Sequence, residues 1–303
     1  MSSPEATANG LKRTTLKEGE ELKAQEPILP APTIITAGEM SFKKYINDLL
    51  DHRQLLRFFI WRDIVVRYKQ AVLGIAWVVI KPLLTMLLFT LIFGLIARFP
   101  SENVSYPLFV LAGMLPWQYF ANCSADCCSA LLNNSQLITK AYFPRVILPL
   151  SMISAQIVDM AVNLVIFLLL IPFLGSFPPL INLATLPLLT LWTYILSVGA
   201  GLWLAPLTVK YRDVRFLMAF VIQFGMFLSP VGYGTFIIPS KWLWLYSLNP
   251  LVGLIDAFRW SLLGQSHPYI LWTVSYALGA TLLLFVTGLK YFKRTEEELV
   301  DLL

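Results

Sequence analysis

Residues 160–209 read MAVNLVIFLLLIPFLGSFPPLINLATLPLLTLWTYILSVGAGLWLAPLTV, with no Asp, Glu, Lys or Arg between Asp159 and Lys210. A helix needs about 20 apolar residues to cross a bilayer, so this stretch holds two crossings. The turn-forming Gly175-Ser-Phe-Pro-Pro179 divides them. The composition agrees. Of 303 residues, 57% are hydrophobic and 14% charged, whereas soluble domains carry about 25% charged residues. Mean hydropathy is +0.68. Such a chain is not disordered and is a poor candidate for an ordinary soluble enzyme. Its 9 Trp, 12 Tyr and 20 Phe are suited to membrane interfaces.

Extended outward, the same criterion gives six spans, at about 74–97, 105–130, 147–172, 182–206, 216–237 and 269–289. In the first, Lys81 can snorkel and Pro82 can kink the helix. The second runs through Leu115-Pro116-Trp117. Between the fifth and sixth lies an apolar stretch, Trp242 to Trp260, interrupted by Asn249-Pro250, Asp256 and Arg259. It reads as a re-entrant helical hairpin on the outer side, broken at Asn249-Pro250, because broken helices are tolerated where they are buried in protein or line water.

Charge placement sets the orientation. With the N-terminus inside, only Arg98, Lys241 and Arg259 of the 23 Lys and Arg fall on the outer side. A seventh span would carry Lys290, Lys293 and Arg294 outside, against the positive-inside rule. The fold class expected is therefore an all-α integral membrane protein with six spans per subunit. Residues 1–40 read as a polar, proline-bearing, disordered cytoplasmic tail with no cleavable signal. Residues 41–70 read as an amphipathic interfacial helix, with Ser41 as N-cap. Phe42, Tyr45, Ile46, Leu49, Leu56 and Ile60 fall at helical spacing, and Lys43, Lys44, Arg53, Arg57 and Arg62 fill much of the rest. A helix packed on a soluble partner is the other reading of this segment. Residues 71–292 form the six-span domain and 293–303 a cytoplasmic tail.

Motifs for chemistry are sparse. No Gly-x-x-x-x-Gly-Lys-Ser/Thr, Gly-x-Ser-x-Gly or His-Glu-x-x-His occurs, so the chain carries no phosphate-binding P-loop and no familiar hydrolase signature. The three cysteines, Cys123, Cys127 and Cys128, have neither His52 nor His267 near in sequence and read as structural rather than metal-binding. Asp126 and Asp159 are the acidic groups placed inside spans. They read as two isolated aspartates at different depths, each in an interhelical hydrogen bond or near an aqueous end, and give little support to a proton relay. Two short basic and aromatic inner loops stand out, Lys140-Ala-Tyr-Phe-Pro-Arg145 and Lys210-Tyr-Arg-Asp-Val-Arg215. Positive charge there is a topology signal, but Tyr142-Phe143-Pro144 is also a rigid knuckle that could fit a partner's groove. On the fifth span, Phe216, Phe220, Phe224 and Phe227 share one helical face. Aromatics of this kind anchor or pack, and they also stack on the apolar C–H faces of sugars.

Several motifs in order carry a resemblance: Arg67-Tyr-Lys-Gln-Ala-Val-Leu-Gly74-Ile-Ala-Trp77 with Lys81-Pro82-Leu83, then Tyr142-Phe-Pro-Arg-Val-Ile-Leu-Pro149-Leu, Tyr211-Arg-Asp-Val-Arg215, Ser229-Pro230-Val-Gly-Tyr233 and Asn249-Pro250. From about 42 to 292 the chain resembles the membrane permease subunit of bacterial polysaccharide ABC exporters, the O-antigen, capsule and teichoic-acid group. Ala71 stands where that family often has Ser. The resemblance implies a homodimer with two copies of a separate ABC ATPase, a lipid-linked glycan substrate, and a place in the bacterial inner membrane with both termini cytoplasmic. It implies no catalytic residue, metal or cofactor on this chain, ATP and Mg belonging to the partner.

It further implies ATPase-coupling roles for Lys140, Tyr142, Phe143, Pro144, Arg145, Arg212, Asp213 and Arg215, and substrate access near Arg62, Asp63, Arg67, Tyr68 and Lys69. Channel aromatics would be Trp77, Trp117, Tyr119, Phe120, Phe216, Phe220, Phe224 and Phe227. Competing expectations are a lipid or drug ABC exporter, a membrane glycosyltransferase and a proton-coupled transporter. The scarcity of outer-loop charges weakens the glycosyltransferase, and the scarce membrane carboxylates and lack of a visible repeat weaken the proton-coupled transporter.

Overall fold

An apolar chain in a bilayer must satisfy its backbone within each segment, and the described residues form helices with no strand among them. The structure is a computed structural model that describes residues 42–69, 74–101, 104–140, 142–175, 178–296 and 298–299. The expected tail, residues 1–40, and the expected cap Ser41 lie outside the described residues. The chain divides into Met1–Tyr45, described only where a helix begins, and Ile46–Leu303, which carries everything below.

The helices are α1 (Phe42–Asp51), α2 (Arg53–Lys69), α3 (Gly74–Phe89), α4 (Tyr106–Asn133), α5 (Ser135–Lys140), α6 (Ile147–Leu174), α7 (Leu180–Leu183), α8 (Leu186–Lys210), α9 (Val214–Leu228), α10 (Ser240–Tyr246), α11 (Pro250–Leu263) and α12 (Ile270–Thr295). α3 passes through Pro82 and continues as a π-helical turn, Thr90–Ile96. Among the described residues, four helices are long and apolar enough to cross a membrane: Ala76–Ile96, Ile147–Leu174, Ile181–Lys210 and Ile270–Thr295. The protein is thus a multi-pass helical membrane protein.

The other two expected spans differ for physical reasons. α4 is 28 residues long, but it carries Gln118, Asn122, Ser124, Asp126 and Ser129 among its apolar residues. It can do so because most of its length is buried by protein: it packs on α6, α8, α11, α9 and α3. α9 is apolar but stops at Leu228, short of the expected 237. Pro230 cannot continue the helix, and Ser229 before it is extended (φ −100°, ψ 151°). A 3₁₀ turn, Thr235–Ile237, follows. α12 runs on past 289 to Thr295, placing Lys293 and Arg294 in its last turn, where they complement the helix dipole.

The break at Asn249-Pro250 is present. Asn249 caps α11, its Oδ1 accepting the Leu251 N–H at 3.1 Å, and Pro250 occupies the first helical position. Gly264 ends the helix in the left-handed region (φ 70°).

Close packing of α8, α11 and α12 depends on small residues. A Cβ at Gly288 would lie 2.5 Å from the Gly199 carbonyl oxygen, and one at Gly253 would lie 2.1 Å from the Thr273 carbonyl oxygen. Gly253→Val should therefore cost more than the ~1–3 kcal/mol typical of overpacking and abolish the thermal transition of the purified protein in detergent. Gly279→Ala, whose added methyl meets open space, should leave that transition in place or raise it.

Candidate functional site

α2 is fastened to the rest of the protein by charged side chains. Its Phe59 is buried, and the helix packs along α6. Arg62 lies over the Phe59 ring, 4.6 Å from its centroid. It donates from Nη1 to Asn134 Oδ1 at 3.1 Å and from Nε and Nη2 to Asp63 Oδ1 at 2.9 and 2.8 Å. Asp63 Oδ2 in turn accepts the Ser151 hydroxyl at 2.8 Å.

One helical turn on, Arg67 divides its guanidinium. Nη2 donates to Asp126 Oδ2 of α4 at 2.8 Å and Nη1 to Asp159 Oδ2 of α6 at 2.9 Å. Tyr68 donates its hydroxyl to the other Asp159 oxygen, and Gln156 Nε2 donates to Asp126 Oδ2 at 2.6 Å. Burial alone would pull the Arg67 pKa down, but the two carboxylates outweigh it and hold it above the ordinary arginine value. Burial first, then the bond to Asp159, push the Tyr68 hydroxyl well above its usual range, so it stays a neutral donor.

This corrects the reading of Asp126 and Asp159 as isolated: one guanidinium bridges them. The missed signal is a pair of polar stripes, Gln118, Asn122 and Asp126 at spacing four on α4, and Gln156, Asp159 and Asn163 at spacings three and four on α6. It also changes the outlook for the substrate-access residues. Arg62, Asp63, Arg67 and Tyr68 are engaged within the protein, while Lys69 is exposed.

The 140–145 loop divides by direction. Lys140 and Tyr142 are exposed, whereas Phe143 and Pro144 are buried, with the Phe143 ring 5.9 Å from that of Phe59. The knuckle thus presents Tyr142 outward and plugs Phe143 inward. Arg145 reaches the end of α12: its backbone N–H donates to Glu296 Oε1 at 2.7 Å and its Nη1 to the Glu296 carbonyl at 2.6 Å. In the second loop Arg212, Asp213 and Arg215 are all exposed.

The aromatic row on α9 is an open face. Phe216, Phe220, Phe224 and Phe227 are 76%, 58%, 46% and 52% exposed. Phe220 contacts Phe224 at 4.3 Å, and Phe227 stacks on Phe89 at 5.9 Å. Trp77 is also exposed, and Phe120 is partly so. Trp117 and Tyr119 face the other way. Trp117 fills the space over Gly225, its Cη2 lying 2.7 Å from where a Cβ would stand, and Tyr119 donates to the Ile153 carbonyl at 2.8 Å. Both are buried within the chain, so they pack helices and offer no surface to a passing ligand. Cys123, Cys127 and Cys128 are buried and unpaired, and among the described residues no group of side chains could hold a metal.

Residues 54–263 match the family described as ABC-2 type transporter. The chain belongs to this family. Among its ABC-2 relatives is the O-antigen export system permease protein RfbA of Klebsiella pneumoniae, 27% identical over 80% of this chain and 92% of the relative. RfbA of Myxococcus xanthus is 26% identical over 71% of this chain and 83% of the relative. The polysialic acid transport protein KpsM of Escherichia coli is 25% identical over 79% and 92%. The match begins at residue 54, inside α2, so the Arg67 bridge lies within the ABC-2 region.

Arg67→Gln leaves Asp126 and Asp159 together without their cation. Partial exposure of all three groups moderates the cost to about 1–3 kcal/mol. A thermal-unfolding cycle with Asp126→Asn and Asp159→Asn should recover at least half of that loss in the triple variant, as expected of directly coupled groups.

Proposed function

We propose that this chain is the membrane permease subunit of an ATP-driven exporter that moves a lipid-linked polysaccharide, O-antigen on a polyprenyl carrier, across the bacterial inner membrane. The observation that carries this reading is the extent of likeness to O-antigen export permeases, 92% of whose length is covered in the case of the Klebsiella relative. A capsule polysaccharide is the second reading, favoured by the likeness to the polysialic acid transport protein.

In this proposal two copies of the chain pair with two copies of a separate ABC ATPase, which binds ATP and Mg. Each copy crosses the membrane six times with both termini cytoplasmic, α4 and α9 completing the set. α1 and α2 lie at the inner interface, and α10 and α11 form the outer re-entrant hairpin. Residues 1–40 and 293–303 are cytoplasmic segments flanking the 71–292 permease domain.

The exposed side chains of Lys140, Tyr142, Arg212, Asp213 and Arg215 meet the ATPase. Arg145, Phe143 and Pro144 pass its movement inward. Lys69 is the cation left to attract substrate phosphate, while Arg62, Asp63, Arg67 and Tyr68 hold the access helix in position. Phe216, Phe220, Phe224 and Phe227, with Trp77 and Phe120, give weak and repeated contacts along which a polymer can slide. Closure of the ATPases moves the inner loops as rigid levers.

Cells that lack this chain but keep glycan synthesis should accumulate lipid-linked polymer on the cytoplasmic side. A polyprenyl carrier on that polymer supports O-antigen, and another lipid anchor supports capsule. Normal amounts of glycan on the outer surface would overturn the reading. Tyr142→Ala combined with Arg212→Ala should insert normally yet lose most of the ATPase that copurifies with the wild-type chain.

A further inference from the structure

The polar stripes on α4 and α6 run beyond the Arg67 bridge, and there they meet across a cleft. Gln118 and Asn122 line it from α4, Asp159 and Asn163 from α6, and Trp77 and Lys81 from α3. Its volume is about 290 Å³, at the small end of the ~300–1,000 Å³ range of ligand pockets.

Amides in a membrane-spanning region are costly unless paired, and these are not used up by the protein. The bond from Asn163 Nδ2 to Gln118 Oε1 is 3.5 Å long, at the limit of a useful contact. Asn163 Oδ1 is buried and accepts nothing. Arg67 borders the cleft but is taken by Asp126 and Asp159, whereas Lys81 is exposed. Trp77 leaves its ring open on one wall, 55% exposed.

Amides that both donate and accept match adjacent hydroxyls, whose O–H groups do the same. An indole face suits the C–H side of a pyranose. A fatty chain would gain nothing from three amides, and a metal cation would meet Lys81 and Arg67. We propose that this cleft binds a sugar ring of the exported glycan, recognised by Gln118, Asn122 and Asn163 and stacked on Trp77. The inference rests on the exporter reading above and assigns a sugar-binding site whose lining includes none of the exposed phenylalanines of α9.

The test uses the full chain with its ATPase, in cells that make the glycan. A benzophenone amino acid at Val78, a cleft-lining position, is photolysed and the chain is probed with a glycan stain. A second variant carries it at Leu188, an exposed position on α8. A glycan ladder is expected from Val78 and none from Leu188. Asn122→Leu and Asn163→Leu should each lower surface glycan about tenfold, the loss of one or two hydrogen bonds, with the ATPase still copurifying in wild-type amount.

Cross-linking of Val78 to lipid alone, or wild-type export by the Asn122→Leu/Asn163→Leu double variant, overturns the cleft and leaves the exporter reading standing. The exporter reading itself falls only if cells lacking the chain still display the glycan. Should the leucine variants accumulate poorly, the Val78 cross-link, made in an otherwise wild-type chain, still decides.

Discussion

Arg67 places one positive charge between two carboxylates that belong to different helices, and the arrangement of α2, α4 and α6 depends on it. Without that cation, two carboxylates on neighbouring helices would face each other with nothing of opposite charge between them. With it, α2 is bound to α4 and α6 by bonds that have direction. An apolar contact would let α2 slide or roll, whereas a divided guanidinium fixes both its depth and its rotation. Arg62, through Asn134 and through Asp63 to Ser151, repeats the same constraint about one turn earlier.

The polar content of α4 follows from where that helix lies. A helix surrounded by protein can carry amides, hydroxyls and a carboxylate that a lipid-facing helix cannot. α4 carries them in stripes because its neighbours differ from side to side. Trp117 and Gly225 form its contact with α9, Tyr119 ties it to α6, and Arg259 of α11 covers the Phe109 ring at 3.6 Å. Hydropathy averaged along the helix cannot show this, since averaging removes the difference between faces.

That averaging marks where the sequence was legible. Long uniform apolar runs place α6 and α8 to within about four residues at each end and the start of α12 to within one, with its end six residues later than expected, and Asn249-Pro250 marks a break because capping and proline chemistry are local. α9 ends at Leu228 although the apolar run continues through Ser229-Pro230 to Ile237, because the proline carries the stop and an apolar run does not register it. The bridge between Asp126 and Asp159 depends on a residue 59 positions from one and 92 from the other, a separation that no local pattern reports. The Phe row of α9 was visible as a face, but nothing in the spacing separated exposed Phe216 from buried Trp117. Both residue types anchor, pack or bind, and only their neighbours decide.

The 140–145 loop connects to α2 and to the end of α12 by two physical routes. Phe143 is buried against Phe59 of α2, so displacement of the loop presses on the helix that Arg67 holds. Arg145 grips Glu296 with both backbone and side chain, so the same displacement pulls on the end of α12. The first route runs through packing, which resists compression; the second runs through charge-assisted hydrogen bonds, which resist separation. A loop held in both senses is tied to its helices against compression and against separation alike. Both ties are made by residues turned into the protein or along its surface, while Tyr142 alone of the Tyr142-Phe143-Pro144 knuckle faces outward.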